Sequence, residues 1–122
     1  MTIYGESQQH FNAKLRLKDL LLKCTPPPDY IVDEYEYPNE QPGKWPYRFD
    51  VFASWDSGLK IAIEVDGKVG HYSPRSYKKR EHRAAYLRSK GIELYGYPTQ
   101  WLVGKKALPD SLFYEEMHLA DS

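Results

Sequence analysis

Hydrophobic side chains follow a helical spacing in the first part of the chain. Between positions 6 and 23, five leucines stand among Lys, Arg and Gln residues: Leu15, Leu17, Leu20, Leu21 and Leu22. No Gly or Pro interrupts this segment, so the spacing predicts an amphipathic helix. The prolines at positions 26–28 end it.

Three segments rich in aromatic and β-branched residues follow, and each predicts a strand: residues 29–37, 47–55 and 59–66. Alternation in the second predicts that one face carries Tyr47, Phe49, Val51, Ala53 and Trp55, and the other Arg48, Asp50 and Phe52. In the third, one face is predicted to carry Leu59, Ile61, Ile63 and Val65, and the other Lys60, Ala62, Glu64 and Asp66. A tight turn at residues 56–58 would join these two strands into a hairpin.

The second half of the chain adds a helix and a strand. Residues 76–90 predict a helix that ends at Gly91, a residue type typical of the position just past a helix. Residues 92–97 predict a fourth strand, and residues 112–119 a short terminal helix. The order α-β-β-β-α-β predicts one α/β (α+β) domain over residues 1–122, with a mixed four-stranded sheet flanked by helices.

Composition narrows the class of protein. The 122 residues suit one domain, and 17 Lys+Arg against 17 Asp+Glu excludes a histone-like basic protein and an acidic disordered tail. No apolar run approaches the ~20 residues that cross a bilayer, and residues 1–6 carry no secretory signal, so we expect a soluble, cytoplasmic protein without a membrane partner. One cysteine, Cys24, forms no internal disulfide and no cysteine-based zinc site, so a metal would need oxygen or imidazole ligands.

Three carboxylates form the first candidate site. Glu64 and Asp66 end an otherwise apolar strand and, two residues apart, project from the same face. The predicted hairpin brings Asp50 within reach of both. Three converging carboxylates suit Mg²⁺, a hard cation that takes oxygen ligands.

Two further groups extend this site. His71 follows Asp66 in a loop containing Gly67 and Gly70, where it could act as a base toward water. Glu6 falls on the core-facing side of the predicted first helix and could support the metal from there.

The second predicted helix indicates the partner. Residues 75–90 contain seven basic residues against one acid, Glu81: Arg75, Lys78, Lys79, Arg80, Arg83, Arg88 and Lys90. Such a face binds phosphate backbones, and a carboxylate-held metal supplies the charge stabilisation and activated water that phosphodiester hydrolysis needs. Both halves predict a nuclease, with Lys78, Lys79 and Arg83 holding phosphates.

The chain contains, in order, Phe49-Asp50, residues 61–67 with Glu64-Val65-Asp66-Gly67, His71, a basic helix and Gly91-Ile92. This arrangement resembles the PD-(D/E)xK nuclease superfamily, in particular its very-short-patch-repair-like branch. The resemblance spans about residues 6–101. It implies a restriction-endonuclease-like core and a Mg²⁺-dependent cut in DNA, with Mn²⁺ able to substitute. It also implies that Asp50 is the central ligand, that His71 activates or positions water, and that Glu6 contributes from the first helix.

Two departures from the superfamily pattern stand out. Asp66 occupies the place of the usual lysine, which gives water activation to His71, with Lys68 as the weaker substitute. Pro46 precedes Asp50 by four residues instead of one. Lys68 and Arg75 join the predicted DNA-binding set.

Each assignment has a structural alternative. Asp50 could be an edge-strand acid bonded to Arg48, Asp66 a turn residue, Glu6 a helix N-terminal acid and His71 an ordinary loop histidine. The basic helix could be a solvated face, and Tyr72, Tyr77 or Trp45 could stack on bases.

Two alternative functions stay open: a non-catalytic nucleic-acid-binding protein of this fold, and an enzyme acting on RNA or branched DNA, such as a junction resolvase. A resolvase would be a dimer, and a nicking enzyme could be a monomer.

Overall fold

The computed structural model describes the backbone of residues 7–66 and 74–117, and the side chains of residues 7–65 and 78–115. The helices are α1 (Gln8–Leu22), α2 (Pro74–Ser89), α3 (Thr99–Leu102) and α4 (Asp110–Met117). The strands are β1 (Tyr30–Tyr37), β2 (Tyr47–Ser54), β3 (Lys60–Asp66) and β4 (Glu93–Pro98). No helix within these ranges is long and apolar enough to cross a membrane.

The predicted order of helices and strands is confirmed. The sheet has the order β1-β2-β3-β4; β1, β2 and β3 are antiparallel, whereas β3 and β4 are parallel. A parallel connection needs a crossover, which α2 provides. The chain is therefore a mixed α/β domain in which helices flank a four-stranded mixed sheet.

Local chemistry sets the element ends. Ser7 caps α1, since its hydroxyl accepts a hydrogen bond from the His10 amide at 3.1 Å. The helix thus begins at Gln8, two residues later than predicted, and Glu6 lies outside the described residues. Gly91, at a φ of 81°, ends α2 as predicted. The terminal helix begins at Asp110, two residues earlier than predicted, and the single turn of α3 was not predicted.

Two hydrophobic cores sandwich the sheet. Helix α1 packs on one face through Ala13, Leu17, Leu20 and Leu21, against a strand set of Val51, Ala53, Ile61, Ile63 and Val65. Helix α2 covers the other face in a smaller core of Phe49, Phe52, Ala62, Leu87 and Ile92.

The predicted alternation along β2 is wrong at one point. Phe49 lies in the α2-side core with Phe52, whereas Val51 lies in the α1-side core. Asp50 also contacts α1, through His10, so two consecutive β2 residues turn toward the same helix.

The neighbouring strand has the matching irregularity. Asp33 and Glu34 both pair with lysines of α1, and Glu34 has a φ of 54°, in the left-handed region that non-glycine residues rarely adopt. The β1–β2 register is the same before and after Glu34 and Asp50, because the alternation of side chains between the two sheet faces shifts by one residue in both strands. This paired irregularity turns Asp50 toward α1.

Candidate active site and cationic groove

The candidate site begins where β2 and β3 separate. Their pairing runs from Ser54 and Lys60 to Val51 and Ile63 and ends there. Beyond that point a side-chain hydrogen bond takes the place of backbone pairing between the two strands. Oδ2 of Asp50 accepts this bond from the Val65 amide at 2.7 Å. This bond holds Asp50 against β3 at the residue between Glu64 and Asp66.

Asp50 lies in a half-buried, mixed-charge environment. Its Oδ1 is 3.3 Å from Nε2 of His10, and its side chain is 21% exposed. Burial raises the pKa of Asp50 above its usual 3.8, and the neighbouring Val65 amide, His10 and Lys14 oppose that rise. Desolvation thus destabilises the charged form of this carboxylate, and a bound cation would stabilise that charged form.

A buried lysine stands behind Asp50. Lys14 is 1% exposed, and its Nζ lies 2.8 Å from Oε1 of Glu34. The other oxygen of Glu34 is 2.9 Å from Nε of Arg48. Arg48 therefore pairs with Glu34 and not with Asp50, which removes the alternative that Asp50 is merely the partner of Arg48.

Glu64 turns toward the other helix. Nη2 of Arg83, on α2, lies 2.6 Å from Oε1 and 2.8 Å from Oε2 of Glu64, whose side chain is 14% exposed. The Arg80 guanidinium lies over Gly96, the residue of β4 that pairs with Glu64. Two guanidinium groups thus lie near this carboxylate.

Of the predicted magnesium ligands, the described side chains include Asp50 and Glu64. The two contact different helices, and the described part of the chain contains no group of three His, Cys, Asp or Glu side chains placed to hold a metal ion. The backbone of Asp66 ends β3, but its side chain lies outside the described set, as do Glu6, Lys68 and His71. The three-carboxylate set with His71 stays a prediction.

The predicted phosphate-binding residues line one groove. Lys78, Lys79 and Arg83 of α2 face the loop of residues 38–46 across an open groove of about 570 Å³. The remaining lining residues are Asn39, Gln41, Lys44, Tyr47 and His82. Arg75, the other α2 residue of the predicted set, has a side chain outside the described part.

Sequence reasoning missed three residues of this region: His10, Lys14 and Lys44. For the first two a signal was present, because His10 and Lys14 precede Leu17 by seven and three residues, on the face of α1 that packs on the sheet. A histidine and a lysine on a buried helix face need polar partners, which Asp50 and Glu34 supply. Lys44 lies in a loop, and no local pattern places it beside α2.

Comparison with known proteins identifies no relative of this chain. No family model, curated protein or solved structure matches the chain.

Proposed function

We propose that this protein is a Mg²⁺-dependent DNA endonuclease of the PD-(D/E)xK type, with a restriction-endonuclease-like core and its nearest likeness in the very-short-patch-repair-like branch. The observation that carries the proposal is the hydrogen bond from the Val65 amide to Asp50. It places a half-buried carboxylate beside the strand end that contains Glu64 and Asp66. The order α-β-β-β-α-β, with α2 crossing between the parallel strands, supports the same assignment.

The donor chemistry fits a hard divalent cation. Asp50 offers a carboxylate already pushed toward neutralisation by burial, and Glu64 offers a second on the adjoining strand. With Asp66, these residues would hold the ion. When bound, Mg²⁺ would stabilise the charge that develops on the phosphate and lower the pKa of a bound water.

The chain's own groups would do the remaining work. Asp50 is kept in place by the Val65 amide, and His10 on α1 holds its second oxygen. Lys78 and Lys79 are exposed on α2 and would hold backbone phosphates. Arg83 now neutralises Glu64, so metal binding at Glu64 would release this guanidinium toward a phosphate. His71 is proposed to orient the attacking water.

Cleavage of supercoiled plasmid tests the proposal. The assay compares Mg²⁺, Mn²⁺ and EDTA for the wild type, Asp50→Asn and the control Asp56→Asn, whose carboxylate is exposed at the turn end of the same hairpin. We expect metal-dependent nicking that Asp50→Asn abolishes and Asp56→Asn retains. Because removing a carboxylate near phosphate lowers repulsion, Asp50→Asn should still bind DNA. Nicking by Asp50→Asn at the wild-type rate would refute the assignment.

One observation favours a second candidate, a non-catalytic DNA-binding protein of the same fold. Arg83 already neutralises Glu64, as expected for a structural ion pair. Thermal unfolding with added Mg²⁺ separates the two candidates, because an ion that binds the folded state raises the melting temperature. A metal-dependent rise that is lost in Asp50→Asn supports the nuclease, and no rise with any divalent ion supports the binding protein.

A further inference from the structure

We propose that the loop of residues 38–46 is a stacking arm, and that the substrate is DNA with an unpaired or unstacked base, which Trp45 contacts while the adjoining groove holds the phosphates. This inference rests on the proposed function for its choice of DNA as partner. It extends that function by naming the class of DNA.

Trp45 is the most exposed large hydrophobic side chain of the described residues, at 90%. The other tryptophans serve the fold: Trp55 is 7% exposed in the core, and Trp101 packs against that core. An indole so exposed contributes little to folding, whereas aromatic rings are favoured anchors in binding surfaces.

The loop that carries Trp45 is braced. The Asn39 amide nitrogen donates a hydrogen bond to the Trp45 carbonyl at 3.0 Å, and the Asn39 amide oxygen accepts one from the Gln41 backbone at 2.9 Å. Glu40 lies 2.8 Å from Nε2 of His82, which ties the loop to α2. The indole therefore projects from a backbone that is already held, so binding would require little further ordering.

The groove beside the loop is positively charged. Lys44, adjacent to Trp45, lines it together with Lys78 and Lys79, and none of the three lysines forms an ion pair with a described residue. His82 and Arg83 also line the groove, but their side chains already contact Glu40 and Glu64. The three lysines are thus available for phosphates, and a cationic groove with an exposed aromatic ring is the arrangement that binds nucleic acid with unpaired bases.

The exposed indole of Trp45 can stack only on a base whose face is uncovered. In a continuous duplex both faces of every base are covered, so such a duplex would contact the lysines but leave Trp45 exposed. A fork, flap or bulge offers a base face on which an aromatic ring can stack. Trp45 should therefore contribute to affinity for interrupted DNA alone, while the lysines contribute to both.

Fluorescence polarisation in EDTA tests this without cleavage. Labelled oligonucleotides of one sequence are compared as a continuous duplex and as a fork, using the wild type, Trp45→Ala and Trp45→Phe. Tyr30→Ala is the matched control, because Tyr30 is 53% exposed at the opposite end of β1.

We expect the wild type to prefer the fork by about fivefold or more, as one stacked base provides. Trp45→Ala should abolish this preference without weakening duplex binding, and Trp45→Phe should retain part of it. Tyr30→Ala should match the wild type. Lys78→Ala with Lys79→Ala should weaken both complexes and flatten their salt dependence.

Equal binding of fork and duplex by the wild type would overturn the inference. Fork preference that survives in Trp45→Ala would also overturn the inference. Trp45 would then be a contact for another partner, such as a protein. Fork preference that depends on Trp45, in a protein that cleaves no DNA, would uphold the inference and refute the nuclease. Absence of DNA binding would refute both.

Discussion

The buried pair between Lys14 and Glu34 makes an asymmetric prediction for stability. Glu34→Gln keeps the side-chain shape and the same left-handed backbone at position 34, so the change removes the charge and replaces one carboxylate oxygen with an amide nitrogen. The Lys14 ammonium then stays in the interior, where its side chain is 2% exposed, without its carboxylate 2.8 Å away.

The magnitude follows from burial and distance. At 2.8 Å two unit charges attract by about 6 kcal/mol in an effective dielectric constant of about 20. The amide oxygen of the introduced glutamine would still accept a hydrogen bond, and Asp50 still attracts Lys14, so we expect a net loss of about 3 kcal/mol. For a chain of this size that is a fall in melting temperature of roughly 10 °C.

Removing the lysine should do much less harm. In Lys14→Met, Glu34 keeps Arg48 at 2.9 Å and is 25% exposed, so its charge remains compensated. The methionine replaces most of the buried stem, and we expect a loss of about 1 kcal/mol or less. Arg48→Met, at a 61% exposed side chain, is the surface control and should change stability by about 0.5 kcal/mol.

Urea unfolding of the three variants at neutral pH, followed by circular dichroism, measures these differences. If Glu34 holds the Lys14 ammonium in the interior, Glu34→Gln is clearly less stable than Lys14→Met. If both variants lose the same free energy, or if Glu34→Gln behaves like Arg48→Met, the ammonium is not held in the interior by Glu34.

Three further outcomes are expected. Because burial raises the pKa of Asp50, the folded state binds a proton more readily than the unfolded state between pH 3.8 and the raised pKa, so stability falls as pH rises through that window. Asp50→Asn should therefore exceed the wild type in melting temperature at neutral pH, with the gain shrinking toward acid; a pH-independent gain would contradict this. A Cβ at Gly96 would overlap the Arg80 guanidinium, so Gly96→Ala should cost about 1 kcal/mol in urea unfolding, and little when Arg80→Ala is also present. Arg16 donates hydrogen bonds to the backbone carbonyls of residues 101, 102 and 108 and pairs with Asp110, so Arg16→Met should cost about 2 kcal/mol and speed amide hydrogen exchange in α4. Unchanged exchange there would show that this network does not hold the terminal helix.

Local patterns were sufficient to predict the architecture. The leucine spacing of α1, the three β-rich segments and Gly91 after α2 are properties of neighbouring residues, and such properties decide which segments become helices or strands. The order of these elements then leaves few topologies, because a helix between two adjacent strands favours a parallel crossover. The hairpin and the mixed sheet follow from this order. The basic surface of α2 follows from the residues of that helix alone.

The arrangement of the site depended on contacts between distant residues. Strict alternation assigned Phe49 and Val51 to one face, but β1 and β2 change phase together at Glu34 and Asp50, and no feature of either strand alone reveals this. The buried Lys14 fixes the partner of Glu34 from another element altogether. Such a change of phase is a property of the paired strands and the helix above them.

The groove shows the same division. The sequence by itself determined that α2 carries Lys78, Lys79 and Arg83, and that residues 38–46 lie between two strands. Only the tertiary structure decided that Lys44 faces α2 while Trp45 stays exposed, and that Arg83 is held by Glu64. Helical and strand periodicity is encoded over a few residues, whereas the partner of a charge or an aromatic ring is chosen by the whole fold, which brings together side chains far apart along the chain, such as Glu40 and His82.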